Sequence, residues 1–197
     1  MPKRNSEYMD QQRNRIAAGA LSVLLEKGVY GTSLRDICAR TGVSMGALYT
    51  HFQTKDEMIV AACALDYEHH EELSPACDWQ EYVAIATHDI DQEKNDRYRR
   101  RMRLSLQFVA ELSLLDRNPP GLSTIYVLYR DRLSRSLEAL RDRGEITLPL
   151  GIAETTEIHM QLIGGANYQV AADRELDRAA VRSALEKALA LTAGRPA

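Results

Sequence analysis

Between Thr32 and Phe52 the sequence leaves room for little besides two short helices meeting at a tight turn. Thr32-Ser33-Leu34-Arg35-Asp36 has the form of a capping box, with Ser33 as N-cap and Asp36 at the third helical position. Leu34, Ile37 and Cys38 supply an inward stripe, and Gly42 supplies the left-handed residue that ends a helix. Ser44 then caps a second helix, in which Leu48 and Phe52, four apart, share one face that Val43 can join. The other face carries Ser44, Met45, Gly46, Tyr49, Thr50 and His51, with no charge before Lys55. Solvated helix faces normally carry Lys and Glu. A face of small, uncharged, hydrogen-bonding groups suits close approach to another polar surface, such as the base edges and phosphates of a DNA major groove. Two short helices about a glycine turn make a helix-turn-helix, whose second helix is the reading helix.

The run Gly31-Thr32-Ser33-Leu34-Arg35-Asp36-Ile37, then Gly42-Val43-Ser44-Met45-Gly46-Ala47-Leu48-Tyr49-Thr50-His51-Phe52, then Lys55-Asp56-Glu57, resembles the DNA-binding domain of the TetR family of bacterial repressors. The resemblance implies an all-helical homodimer with an N-terminal DNA-binding domain and a C-terminal domain for ligand binding and dimerisation. It implies transcriptional control altered by a small-molecule effector, with a double-stranded operator as partner. It also implies that Tyr49, His51 and Lys55 contact phosphates, with Thr32 and Ser33 flanking them at the start of the preceding helix. Ser44 can bond a phosphate as well as cap, and Met45, Gly46 and Thr50 can approach base edges.

Global charge is no guide to a nucleic-acid partner, since 25 Lys and Arg against 28 Asp and Glu leave only −3. The distribution is more telling. Residues 1–60 hold eight Lys or Arg and six acids, which leaves the remainder acidic. The three cysteines, Cys38, Cys63 and Cys77, form no CxxC pair. No apolar run follows the polar start and no stretch is long enough to span a bilayer, so a cytoplasmic protein without a membrane partner is expected. There is no GxSxG, GxGxxG, P-loop or HExxH pattern and no cofactor motif, so no enzyme is expected. The alternatives are a helical protein–protein interaction module with a vestigial helix-turn-helix and, more remotely, an enzyme.

The expected fold is all-α, about nine helices, with a helix-turn-helix domain over 1–55 and a ligand-binding and dimerisation domain over 56–197. Residues 1–9 read as a mobile polar tail, and the first helix as Asp10 to Lys27, ended by Gly28. Thr54-Lys55-Asp56-Glu57 is a second capping box. Lys55 in that first turn sits unfavourably beside the helix dipole, which a phosphate contact explains. The helix that follows is the natural mechanical link between domains. His69 and His70 are adjacent and so do not share a helix face, which argues against a metal site. The later helices carry the large aromatics Tyr67, Trp79, Tyr82, His88, Phe108, Tyr126, Tyr129, His159 and Tyr168, with a bias towards Tyr and His. These are the candidate pocket residues for an aromatic or amphipathic ligand. Asn118-Pro119-Pro120-Gly121 marks a turn. Gly164-Gly165-Ala166 lies mid-helix, where glycine costs about 1 kcal/mol relative to alanine, a cost tolerated where another backbone comes close. With Leu185 and Ala188 of the last helix it forms the candidate dimer interface, a four-helix arrangement that the family resemblance implies.

Overall fold

The computed structural model describes residues 2–70, 74–92, 96–116, 119 and 122–195, with side chains except at 2–5, 66–70, 97 and 123–125. The expectations for Tyr67, for His69 and His70, and for most of the turn at 118–121 lie outside the described side chains and residues. Among the described residues there are nine helices and no strand. They are α1 (Pro2–Gly31), α2 (Leu34–Thr41), α3 (Met45–His51), α4 (Lys55–His70), α5 (Trp79–Asp91), α6 (Asp96–Leu112), α7 (Leu122–Asp142), α8 (Ile152–Ala172) and α9 (Arg178–Ala193).

Most boundaries follow the sequence punctuation, and α1 departs from it. The expected mobile tail is helical back to Pro2, a residue well suited to the first helical position. No proline lies between Pro2 and Gly28, and the helix carries Gly19 in its interior. At Gly28 the helix kinks, with φ 75° and ψ 175°, a region of backbone space open essentially to glycine alone.

The chain divides into two compact units, residues 1–72 with 103–125, and residues 73–102 with 126–197. In the first, Ile16, Ala20, Val23 and Leu24 of α1 pack with Ile37 of α2, Leu48 of α3 and Phe52. Met58, Ile59 and Ala62 of α4 complete that core with Leu104 and Phe108 of α6. So α4 and the end of α6 share a core with the helix-turn-helix, whereas the expected domain cut at 55/56 follows the capping boxes. The second unit buries Trp79, Tyr82, Ala86 and Ile90 of α5 against Leu133, Leu137 and Leu140 of α7, with Ile163 of α8 and Leu185 and Leu189 of α9. Each fully buried Leu or Ile contributes about 1.5–3 kcal/mol relative to exposure. Among the described residues, no helix is long and apolar enough to cross a membrane.

Candidate nucleic-acid interface

The helix-turn-helix is built from short-range bonds. Ser33 Oγ accepts the Asp36 N–H at 3.2 Å, and Asp36 returns the bond to the Ser33 N–H at 2.9 Å. Lys27 adds a 2.5 Å ion pair to Asp36, and these bonds hold its carboxyl well below the usual range. Gly42, at φ 73°, closes α2 with its N–H on the Cys38 carbonyl. Ser44 Oγ then accepts the Ala47 N–H at 3.2 Å to start α3. Only half of the second expected capping box forms: Thr54 Oγ1 accepts the Glu57 N–H, while the Glu57 carboxylate accepts the N–H of Gln53, one residue before the cap.

Apolar burial sets the facing of α3. Leu48 and Phe52 are fully buried, which turns Ser44, Gly46, Tyr49 and Thr50 outward. Tyr49 is 51 % exposed. Ala47 lies on this face as well, a position sequence reasoning passed over, although its i+3 relation to Ser44 and Thr50 was available. Thr50 Oγ1 bonds the Gly46 carbonyl at 3.1 Å, so its methyl and hydroxyl are held in place. Met45 and His51 are half-buried at the edges. A Cβ built on Gly46 meets nothing within 4 Å. Nothing in this chain therefore requires glycine there.

Two expected phosphate contacts have other work in the fold. Thr32 is buried, and its hydroxyl donates to the Gly28 carbonyl at 2.6 Å, so it does not flank the outward face as expected. Gly28 lies in the last turn of α1, where a hydroxyl four residues on can fold back onto the carbonyl. Lys55 is half-buried and donates to the Val29 carbonyl at 2.8 Å. Its place in the first turn of α4 thus has an explanation inside the subunit. Behind α3, Arg13 donates to the His51 carbonyl and to Glu57, at 2.9 Å for the latter. Its guanidinium lies 4.2 Å from the Phe52 ring centroid, a cation–π contact that fixes the end of α3 against α1.

In the second unit, part of the expected pocket set comes together. Tyr82 stacks on Trp79 with ring centroids 5.4 Å apart, and its hydroxyl lies 2.6 Å from His159 Nδ1. His159 Nε2 lies 2.9 Å from Thr192 Oγ1, whose own hydrogen goes to the Ala188 carbonyl. Thr192 therefore accepts from His159 Nε2–H, and Nδ1 accepts from Tyr82. This neutral tautomer satisfies the ring. Burial holds the imidazole down to about 4 and pushes the Tyr82 phenol well up. The remaining aromatics separate. Phe108 sits in the core of the first unit, because it lies on the same face of α6 as Leu104. His88 is exposed in the last turn of α5. Tyr126 and Tyr168 are exposed at 47 % and 38 %, and Tyr129 packs partly buried on the second core.

The candidate interface residues divide as well. Leu185 is buried in its own unit, since the inward stripe of α9 is Leu185, Leu189 and Ala193; it is not on the outward face expected of it. Ala188 is half-buried, and Ala184 and Leu191 are exposed beyond it, Leu191 at 79 %. Gly165 is exposed, Gly164 and Ala166 are half-buried, and a Cβ on either glycine meets nothing within 4 Å. Among the described residues, no group of His, Cys, Asp or Glu is arranged to hold a metal ion.

Residues 16–62 match the family of bacterial regulatory proteins named tetR. The transcriptional regulator PksA of Bacillus subtilis is 38% identical over 68 residues, which are 34% of this chain and 32% of PksA. The chain thus aligns with about a third of that relative's length. Over nearly the whole chain the likeness is one of fold. The reduced form of NemR from E. coli matches with a TM-score of 0.68 at 21% identity, covering 94% of this chain and 99% of NemR. FadR from Bacillus subtilis, solved in complex with stearoyl-CoA, matches at 0.60 and 18% identity, covering 90% and 97%.

Proposed function

The chain belongs to the TetR family of bacterial regulatory proteins, and from that premise we propose that it is a ligand-responsive transcriptional regulator, a repressor that binds a palindromic operator as a homodimer. The observation that carries the reading is the outward face of α3. It is uncharged, centred on Gly46 and Tyr49, and contains a glycine that nothing in the subunit requires. Glycine in a helix costs up to about 1 kcal/mol relative to alanine. A DNA backbone or base edge pressed against Gly46 explains its presence. In this reading Ser44, Tyr49 and His51 bond phosphates around it, and Met45 and Thr50 approach base edges. Ser33 and the two remaining N–H donors of Lys55 lie at the margin of that footprint.

A dimer places two reading helices about 34–36 Å apart, one turn of DNA, which matches a near-palindrome. Support for the dimer comes from α8 and α9, where Gly164 and Gly165 are open and Leu191 projects into solvent. Support for an effector comes from FadR, a protein of similar fold that holds stearoyl-CoA. Here the Trp79–Tyr82–His159 cluster is packed as core, and the candidate ligand pocket is the cavity of about 600 Å³ beside Arg130, Ser134, Ile152 and Thr156. An effector shifts DNA affinity only by its differential affinity for two states.

The test is selection of DNA from a random pool, then gel-shift titration of the selected site. Tyr49→Ala and Gly46→Leu are each expected to raise Kd at least tenfold while helicity and oligomeric state stay those of the parent. Binding should also weaken steeply with salt. Unchanged affinity in both variants refutes the reading.

A further inference from the structure

The break in α1 leaves Val29 in an unusual position. The residue is 3 % exposed, so neither its N–H nor its C=O can turn to bulk water. The kink at Gly28 also removes the N–H from the helical ladder. Both groups are satisfied by side chains from far along the chain. Gln107 Oε1 of α6 accepts the Val29 N–H at 2.9 Å, and Lys55 of α4 donates to its carbonyl at 2.8 Å. A buried backbone group left without a partner costs about 1–3 kcal/mol, so these bonds are not optional.

The fit around Gln107 is close. A Cβ on Gly28 would lie 2.5 Å from Gln107 Oε1, so a side chain there would push the Gln107 amide away from Val29. Leu104 and Phe108, on the same face of α6, are buried in the core shared with α1 and α4. One turn further, the Glu111 carboxylate beside Tyr30 pushes that phenol up. The segment so gripped runs directly into Ser33, the N-cap of α2. The helix doing the gripping is continuous from residue 96 in the second unit to residue 112 in the first.

We propose that Gln107 is a positioning residue for DNA binding. By accepting the Val29 N–H it fixes the junction between α1 and α2, and with it the start of α2 and the pose of α3. This rests on the DNA-binding reading above.

The experiment compares the full-length protein with Gln107→Leu, which fills the space but cannot accept, and Gln107→Glu, which keeps an acceptor. Amide hydrogen exchange at Val29 and Kd for the DNA selected by the parent are both read. Gln107→Leu is expected to speed Val29 exchange at least tenfold and raise Kd about fivefold, with Gln107→Glu within twofold of the parent on both. Should the leucine variant not fold, Gln107→Asn, too short to reach, replaces it with the same expectation. Parent-like Kd in the leucine or asparagine variant, or a glutamate variant as impaired as they are, overturns the proposal alone. A parent that selects no DNA overturns the DNA-binding reading and this proposal with it, whereas the exchange result still reports whether the bond exists.

Discussion

Helices α3 and α8 look alike in several respects. Each has an open glycine on an outward face, and each bonds threonine hydroxyls back to its own carbonyls, Thr50 to Gly46 in α3 and Thr155 and Thr156 to Gly151 and Ile152 in α8. Their inward sides differ. The side chains on the outward face of α3 find partners three or four residues away, at Ser44 with Ala47 and Thr50 with Gly46, and only its inner end is tied from afar, by Arg13. On α8, the polar centre is His159, whose partners Tyr82 and Thr192 lie 77 and 33 residues away on α5 and α9. The first arrangement survives as a local pattern. The second exists only when three helices are assembled, so a single deletion at its centre should cost more than one on the outward face of α3.

The largest effect is expected at that centre. His159→Leu leaves the buried Tyr82 hydroxyl unpaired, a loss of about 2–4 kcal/mol in denaturant unfolding once imperfect packing is added. Ser44→Leu, on an exposed turn, has no such unpaired buried group to leave. If His159→Leu proves as stable as the parent, the contrast between the two helices fails.

Acid sharpens the same contrast. His159 takes a proton near 4 in the folded chain and near 6.5 once unfolded. Between those values the unfolded chain holds more protons, so the contribution is whole above about 6.5 and is lost as pH falls towards 4. At about 1.36 kcal/mol per pH unit, close to 3 kcal/mol goes in all. Unfolding free energies measured at pH 7.5 and 4.5 should therefore differ, and the part due to His159 should be missing in His159→Leu.

The outward glycines give the next effect. Gly165→Leu meets no neighbour within its own chain, so the subunit should fold. A second copy pressed against α8 should be displaced, which analytical ultracentrifugation reads as a dimer constant weakened at least tenfold. A parent-like constant removes Gly165 from the interface. The smallest change is Ser44→Ala, which deletes the N-cap of α3 and should cost about 1 kcal/mol in unfolding. A much larger loss there would mean that α3 depends on more than local bonds.

The capping box at Ser33, the Thr54 cap, the Gly42 stop, and the inward turn of Leu48 and Phe52 were legible in the sequence, because each is set by residues within about one helical turn. The residue types of the α3 face follow from the same spacing. What the spacing could not convey is which polar groups the fold spends on itself. Thr32 and Lys55 looked free to meet phosphates, yet they donate to the carbonyls of Gly28 and Val29 in the last turn of α1. Leu185 looked outward because Ala184 and Ala188 beside it permit either face, and the packing of α9 on α5 and α8 chose inward.

Composition and periodicity alone determined that this chain is helical and carries a helix-turn-helix with an uncharged reading face. Tertiary structure decided that Gln107 holds Val29, that Phe108 joins the first core, and that Tyr82, His159 and Thr192 meet. The physical reason is the range of the interactions. A cap or a turn is fixed by neighbours along the chain, whereas the partner of a buried polar group is fixed by which helices share its core.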